Sequence, residues 1–100
     1  MRAGWLAALL ALPGLAAAAT HIVTIEGMQF QPAVRTVKSG DTVVWRNKDL
    51  VPHTATAAGK FDSKSMAPGG QWSWTAKAKG RQDYACTFHP TMKGSIVVRD

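Results

Sequence analysis

Cys86, His89 and Met92 follow one another at three-residue intervals in the run Tyr84-Ala85-Cys86-Thr87-Phe88-His89-Pro90-Thr91-Met92-Lys93-Gly94, and Cys86 is the only cysteine of the chain. Thiolate, imidazole and thioether are soft or borderline metal ligands, and His53, between Pro52 and Thr54, offers a second imidazole. Two His and one Cys in a trigonal plane, with a weak axial Met, form the donor set of a blue-copper site that exchanges single electrons. A lone cysteine has no partner for an internal disulfide, so ligation gives it a role. The competing chemistries lack parts. A hydrolytic Cys86–His89 pair has no evident third group or oxyanion-hole motif, and no carboxylate pair suggests acid–base work. Nitrite reduction or multicopper oxidation needs further His ligands, and after His53 and His89 only His21 remains. We therefore expect a chain that is not an enzyme.

The elements that must bring these residues together read as strands. Ile22 to Glu26 is short and β-branched, and Val34 to Lys38 follows Pro32. Ser39-Gly40-Asp41 signals a turn before Thr42 to Arg46, where the two-residue period puts Val43 and Trp45 on one face. A further strand is expected over Pro52 to Thr56, with Pro52 at its start where no ladder donor is needed. Ala57 to Gly70 is rich in Gly, Ser and Lys and reads as a loop, with a turn around Phe61-Asp62-Ser63. Gln71 to Ala76 then groups Trp72, Trp74 and Ala76. Gln82, Tyr84 and Cys86 share a face, as do Ile96 and Val98 in the last strand. Short strands separated by turn residues predict a single all-β domain, a Greek-key sandwich or barrel. Cys86 then ends a strand, His89 and Met92 return from the following loop, and His53 arrives from elsewhere in the sheet. Trp45, Trp72, Trp74 and Tyr84 are expected in the core, Met28 and Met66 as packing residues, and Asn47 and Asp49 as turn residues. His21 is expected to be exposed.

The first nineteen residues carry a different signal. Arg2 precedes the apolar run Trp5-Leu6-Ala7-Ala8-Leu9-Leu10-Ala11-Leu12, and the segment ends in Ala16-Ala17-Ala18-Ala19. This is the pattern of a secretory signal peptide, and it is too short for a membrane span of about 20 residues. Residues 1–19 are thus expected to be a leader and residues 20–100 the domain, with the mature chain beginning at Ala19 or Thr20 in a bacterial periplasm. Were cleavage to fall after Ala18, Ala19-Thr20-His21 would offer an amino-terminal Cu(II)-binding tripeptide.

Of the 12 Lys and Arg, 11 lie beyond Arg2, against 6 Asp and Glu, which leaves the domain at +5 with its histidines neutral. The basic residues are scattered, and no basic–aromatic repeat suggests nucleic acid. The excess charge suits a solvated monomer, and it would also steer the domain toward an acidic partner surface.

The stretch Gly40-Asp41-Thr42-Val43-Val44-Trp45-Arg46-Asn47, then Val51-Pro52-His53, then Tyr84 to Gly94, resembles an amicyanin-type cupredoxin, a plastocyanin-like blue copper protein. The resemblance spans essentially the whole expected domain. It implies a Greek-key β-barrel with one type 1 copper held by His53, Cys86, His89 and Met92. It further implies that His89 is the solvent-edge ligand, ringed by Val51, Pro52, Phe88 and Pro90. A c-type cytochrome or a dehydrogenase would dock there. Two departures stand out: Thr54 occupies a position that is commonly Asn, and almost nothing precedes the first shared strand. The alternative role is copper delivery or storage, which usually brings Met-rich tracts that this chain lacks.

Overall fold

A computed structural model describes residues 17–100, and among them the fold is all β, without a helix. The strands are β1 (Thr20–Glu26), β2 (Gln29–Gln31), β3 (Val34–Lys38), β4 (Thr42–Asn47), β5 (Thr56–Ala57), β6 (Phe61–Asp62), β7 (Gln71–Thr75), β8 (Gly80–Ala85) and β9 (Lys93–Arg99). They form two sheets, one in the order β2-β1-β4-β7 and the other in the order β3-β9-β8-β5-β6. Most neighbours are antiparallel. The exceptions are β1 with β4 and β3 with β9, both parallel, so the chain must cross from one sheet to the other between them. This is the two-layer sandwich that alternating strands predict.

Alternation decides what the sheets enclose. Val23 and Ile25 of β1, Val43 and Trp45 of β4, and Ile96 and Val98 of β9 are all buried. Trp45 is the hub of the aromatic core, with ring centroids 5.3 Å from Phe61, 5.4 Å from Tyr84 and 5.6 Å from Trp72. Phe61 in turn lies 4.6 Å from Trp74, so the half-buried tryptophans of β7 close one side of this cluster. Offset and edge-on rings at such distances add about 0.5–1.5 kcal/mol per pair beyond the area they bury.

Several expectations need correction. Pro52 to Thr56 does not form a strand. His53 makes one isolated antiparallel bridge with Met66, and regular pairing resumes only at Thr56. The N–H groups in between have other acceptors: Thr54 donates to Cys86 Sγ at 3.3 Å and Ala55 to Ser63 Oγ at 2.8 Å. Phe61 and Asp62, expected as a turn, pair with β5 as a short strand, and Gln29–Gln31 adds an unexpected edge strand. Met66 is a packing residue, but Met28 is exposed, at a positive φ of 59° in the β1–β2 turn. His21 is largely covered, its Nε2 2.8 Å from Asp41 Oδ2. The expected leader falls on residues 1–19, of which 1–16 lie outside the described residues.

Candidate metal centre

β8 ends at Ala85 and β9 begins at Lys93, so Cys86 to Met92 form the loop of a hairpin whose stems are paired through Ala85↔Lys93. Three backbone hydrogen bonds tighten that loop. Cys86 N–H donates to the Met92 carbonyl at 3.1 Å, His89 N–H to the Cys86 carbonyl at 3.2 Å, and Met92 N–H to the His89 carbonyl at 2.9 Å. The three-residue spacing thus becomes a coil in which residues 86, 89 and 92 return to one side. Cys86 is fully buried, Met92 nearly so, and His89 is half-buried at the edge.

His53 reaches the same place from the segment after β4. Its backbone is clamped twice by Met66, which donates to the His53 carbonyl at 2.8 Å and accepts the His53 N–H at 3.2 Å. The imidazole is fixed from the other end, with Nε2 2.8 Å from Asp49 Oδ2. An ionised carboxylate only accepts, so in the neutral ring that binds metal Nε2 carries the proton and Nδ1 is left with a free lone pair. That bare Nδ1 stands 3.7 Å from Cys86 Sγ, and His89 Nδ1 stands 3.7 Å from the same sulfur. The ligand atoms of His53, Cys86 and His89 all lie within 4.8 Å of one another. Metal–sulfur and metal–nitrogen bonds of about 2.3 and 2.0–2.1 Å, meeting at a trigonal angle, leave sulfur and nitrogen about 3.7–3.8 Å apart. The three donors therefore fit one metal ion.

The surroundings hold the donors in place. Thr54 gives its N–H to Cys86 Sγ, and its Oγ1 accepts the Thr87 N–H at 2.9 Å, so the hydroxyl joins the two ligand segments. Thr56 Oγ1 supports that hydroxyl at 3.0 Å.

Two residues assigned by sequence to a turn prove central here. Asn47 is buried, and its Nδ2 donates to the carbonyls of Val51 at 2.9 Å and Met66 at 3.0 Å. It thereby fixes both the loop leading to His53 and the residue that clamps it. Asp49 accepts the Gly27 and Met28 N–H groups at 2.7 and 2.9 Å as well as His53. Burial alone would raise the Asp49 carboxyl, but the Met28 N–H, the His53 imidazole and the Gly27 N–H outweigh it and hold the group below the usual carboxylate range. The Asp49–His53 spacing of four residues was the available signal. Outside a helix that spacing carries no expectation of contact, so the sequence alone does not announce the pair.

Leu50, Val51 and Phe88 are exposed on the segments that carry His53 and His89. Large apolar side chains on loops beside a half-buried ligand are a surface suited to transient docking. His21, bonded to Asp41, is not part of the cluster.

Comparison with known proteins agrees with this geometry. The cupredoxin-like domain family matches residues 1–98. Amicyanin-alpha of Methylorubrum extorquens is 39% identical over 83 residues, covering 76% of this chain and 69% of its own length. Amicyanin of Paracoccus denitrificans is 34% identical over 87 residues, covering 77% of this chain. The chain spans 63% of the length of that protein, and likewise 63% of the amicyanin of Paracoccus versutus. Among solved structures, the Cu(I) form of a methionine-to-alanine variant of amicyanin superposes with a TM-score of 0.76 at 33% identity, covering 85% of this chain and 87% of the other. With sequence, architecture and donor set in accord, the chain belongs to the cupredoxin-like domain family, with the amicyanins as its relatives.

Proposed function

We propose that this chain is a periplasmic carrier of single electrons that uses one type 1 copper, with His53, Cys86 and His89 as the strong ligands and Met92 as the weak axial one. The observation that carries the reading is the pair of imidazole Nδ1 atoms, each 3.7 Å from the buried Cys86 Sγ. Copper supplies the one-electron couple, and a thiolate with two imidazoles and a thioether suits both of its oxidation states.

The protein's part is to hold that geometry. Asp49 keeps the proton of His53 on Nε2, so that Nδ1 faces the sulfur. The Thr54 N–H, 3.3 Å from Cys86 Sγ, holds the sulfur in place from the side of the His53 segment. Asn47, Met66 and the loop hydrogen bonds limit movement between the two states, which keeps the cost of reorganisation small. His89, half-buried between exposed Phe88 and Pro90, gives the electron its way in and out.

Residues 1–19 are proposed to hold the export leader of this domain, residues 20–100, with cleavage so that the mature chain begins at Ala19 or Thr20. No helix among the described residues is long and apolar enough to cross a membrane. A c-type cytochrome or a dehydrogenase is the proposed partner, drawn by the basic surface and docking over His89. We assign the chain a carrier role and not a catalytic one, because the remaining histidine is committed to Asp41.

The visible spectrum of the copper-loaded, oxidised protein tests this. A strong band near ~600 nm, the thiolate-to-copper charge transfer of a His2Cys site, is expected. Weak d–d absorption alone would overturn the assignment, and a readily exchanged copper would favour delivery or storage.

A further inference from the structure

Far from the ligands in sequence, Asp41 sits almost completely buried in the turn before β4. Its carboxylate collects three donors. The Ala19 N–H lies 2.9 Å from Oδ1, while the His21 imidazole at 2.8 Å and the Lys38 N–H at 3.0 Å reach Oδ2. The Ala19 N–H is the largest influence on the group, followed by the His21 and Lys38 hydrogen bonds, and together they lower its pKa to about 2 against the effect of burial. Two of the three donors are backbone amides. No Lys or Arg ion pair to Asp41 is present among the described residues, although Lys38 and Arg99 line the same groove. Of the three donors only the His21 ring can carry a positive charge, on Oδ2, and the position that would supply a permanent one, on Oδ1, is the nitrogen of Ala19.

Among the described residues, Ala19 also bonds through both its backbone groups. Its carbonyl accepts the Thr42 N–H at 2.9 Å, extending the β1–β4 ladder by one residue. The small-residue rule for leader cleavage does not choose here. Cleavage after Ala18 places Ala16 and Ala18 at the required positions, and cleavage after Ala19 places Ala17 and Ala19 there equally well. The fold does distinguish them. A chain starting at Thr20 would leave Asp41 Oδ1 and the Thr42 N–H without these partners, while one starting at Ala19 keeps both and turns a neutral N–H into an ammonium.

We infer that the leader is removed after Ala18 and that Asp41 is the receptor for the newly made α-ammonium of Ala19, so that processing completes an ion pair of the folded domain. The inference rests on the leader reading given above. It also disfavours an Ala19-Thr20-His21 copper tripeptide, because the terminal nitrogen and the His21 ring are both engaged by Asp41.

Export of the full 100-residue chain from a bacterial host, followed by intact mass measurement, provides the first test. A mass beginning at Ala19 is expected. A mass beginning at Thr20 or elsewhere overturns this inference alone, and an uncleaved chain overturns the leader reading with it. The second test compares copper-loaded domains starting at Ala19, at Thr20, and at Ala19 with the amine acetylated. The free Ala19 form should melt highest at neutral pH, and its α-amino group should titrate by NMR above the reference range of about 7.7–8.0. A group raised in this way stabilises the fold below its unfolded pKa and ceases to do so as pH rises through the folded one. The advantage over the acetylated form should therefore vanish in alkali, and Asp41→Asn should abolish it at neutral pH. Equal melting of free and acetylated forms, or an α-amino group titrating at or below the reference range, would overturn the ion pair whether or not the Asn variant folds.

Discussion

Asp49 Oδ2 stands 2.8 Å from Nε2 of His53, and this single contact decides which nitrogen of the imidazole faces Cys86. The same carboxylate receives two N–H groups from the β1–β2 turn, so the ligand is braced against a different part of the first sheet. Asp49→Ala should leave His53 able to bind metal but free to rotate and to change tautomer. Such partners of metal-bound histidines are worth about 10–100-fold in metal affinity. Competition with a copper chelator should show a loss of that size, and an unchanged affinity would deny Asp49 its orienting role.

Cys86→Ser should abolish the intense visible band and leave the sandwich folded. The band depends on the sulfur, whereas the core rests on Trp45, Tyr84, Phe61 and their neighbours. Circular dichroism should retain its β signature, while the copper-dependent rise in Tm should shrink. Persistence of the blue colour would show that another residue supplies the charge transfer.

Met92→Gln keeps the length of the side chain and replaces its sulfur by a harder oxygen, which favours Cu(II). The reduction potential should fall, with about 59 mV corresponding to each tenfold change in the one-electron equilibrium. A potential that stays level or rises in voltammetry would remove Met92 from the axial position.

Gly94→Ala should be far more damaging than its size suggests. A Cβ at Gly94 would lie 2.5 Å from both Cζ and the hydroxyl oxygen of Tyr84, whose ring is packed against Trp45 and Phe30. Overpacking of this sort costs about 1–3 kcal/mol, and in a domain of this size each kcal/mol lowers Tm by about 4–8 °C. Because Gly94 pairs with Tyr84 next to the Ala85↔Lys93 pair that closes the ligand loop, the copper site should loosen as well. A thermal melt within about 2 °C of the parent would show that the ring moves aside freely.

Asp41 should give the fold a distinctive acid response. Its carboxyl is held at about 2, chiefly by the Ala19 N–H and then by His21 and Lys38. A depressed carboxyl stabilises the native state above its unfolded value of about 3.9, and the contribution is lost as pH falls through the folded one. Asp41→Asn should therefore lower Tm between pH 5 and 7, and the difference from the parent should narrow from about pH 4 down to pH 2. A difference that stays constant over that range would mean that the carboxylate charge is not what matters.

Much of this molecule could be read from its residues, for reasons that differ from part to part. Val43 and Trp45, or Ile96 and Val98, announce strands because a two-residue period leaves the burial pattern little choice. Cys86, His89 and Met92 announce a metal loop because their spacing is short enough for the backbone to coil them together. Pro52 to Thr56 misled for a physical reason. Its composition suits a strand, but Cys86 Sγ and Ser63 Oγ take the N–H groups that a neighbouring strand would have used. Side-chain acceptors distant in sequence have no local signature. Asn47 and Asp49 were similarly opaque, because turn-forming residues look alike whether their polar groups face solvent or hold a buried imidazole. Thr54 was legible in part: its hydroxyl ties the ligand segments together, and the geometry shows that it does so through the Thr87 N–H.

The parallel pairing of β3 with β9 has a consequence for the order of assembly. Val34 finds its partner at Ser95, near the far end of the chain, and β9 occupies the position between β3 and β8. The second sheet therefore has no complete form until the last residues are available, and neither does the hairpin that presents Cys86, His89 and Met92. Long-range pairing of this kind is slow, because loop closure must precede any reward from contacts. Under the export proposed above, that delay would be protective: the polypeptide would stay pliable during passage through a translocation channel, and the copper-binding pocket would first take shape on the far side.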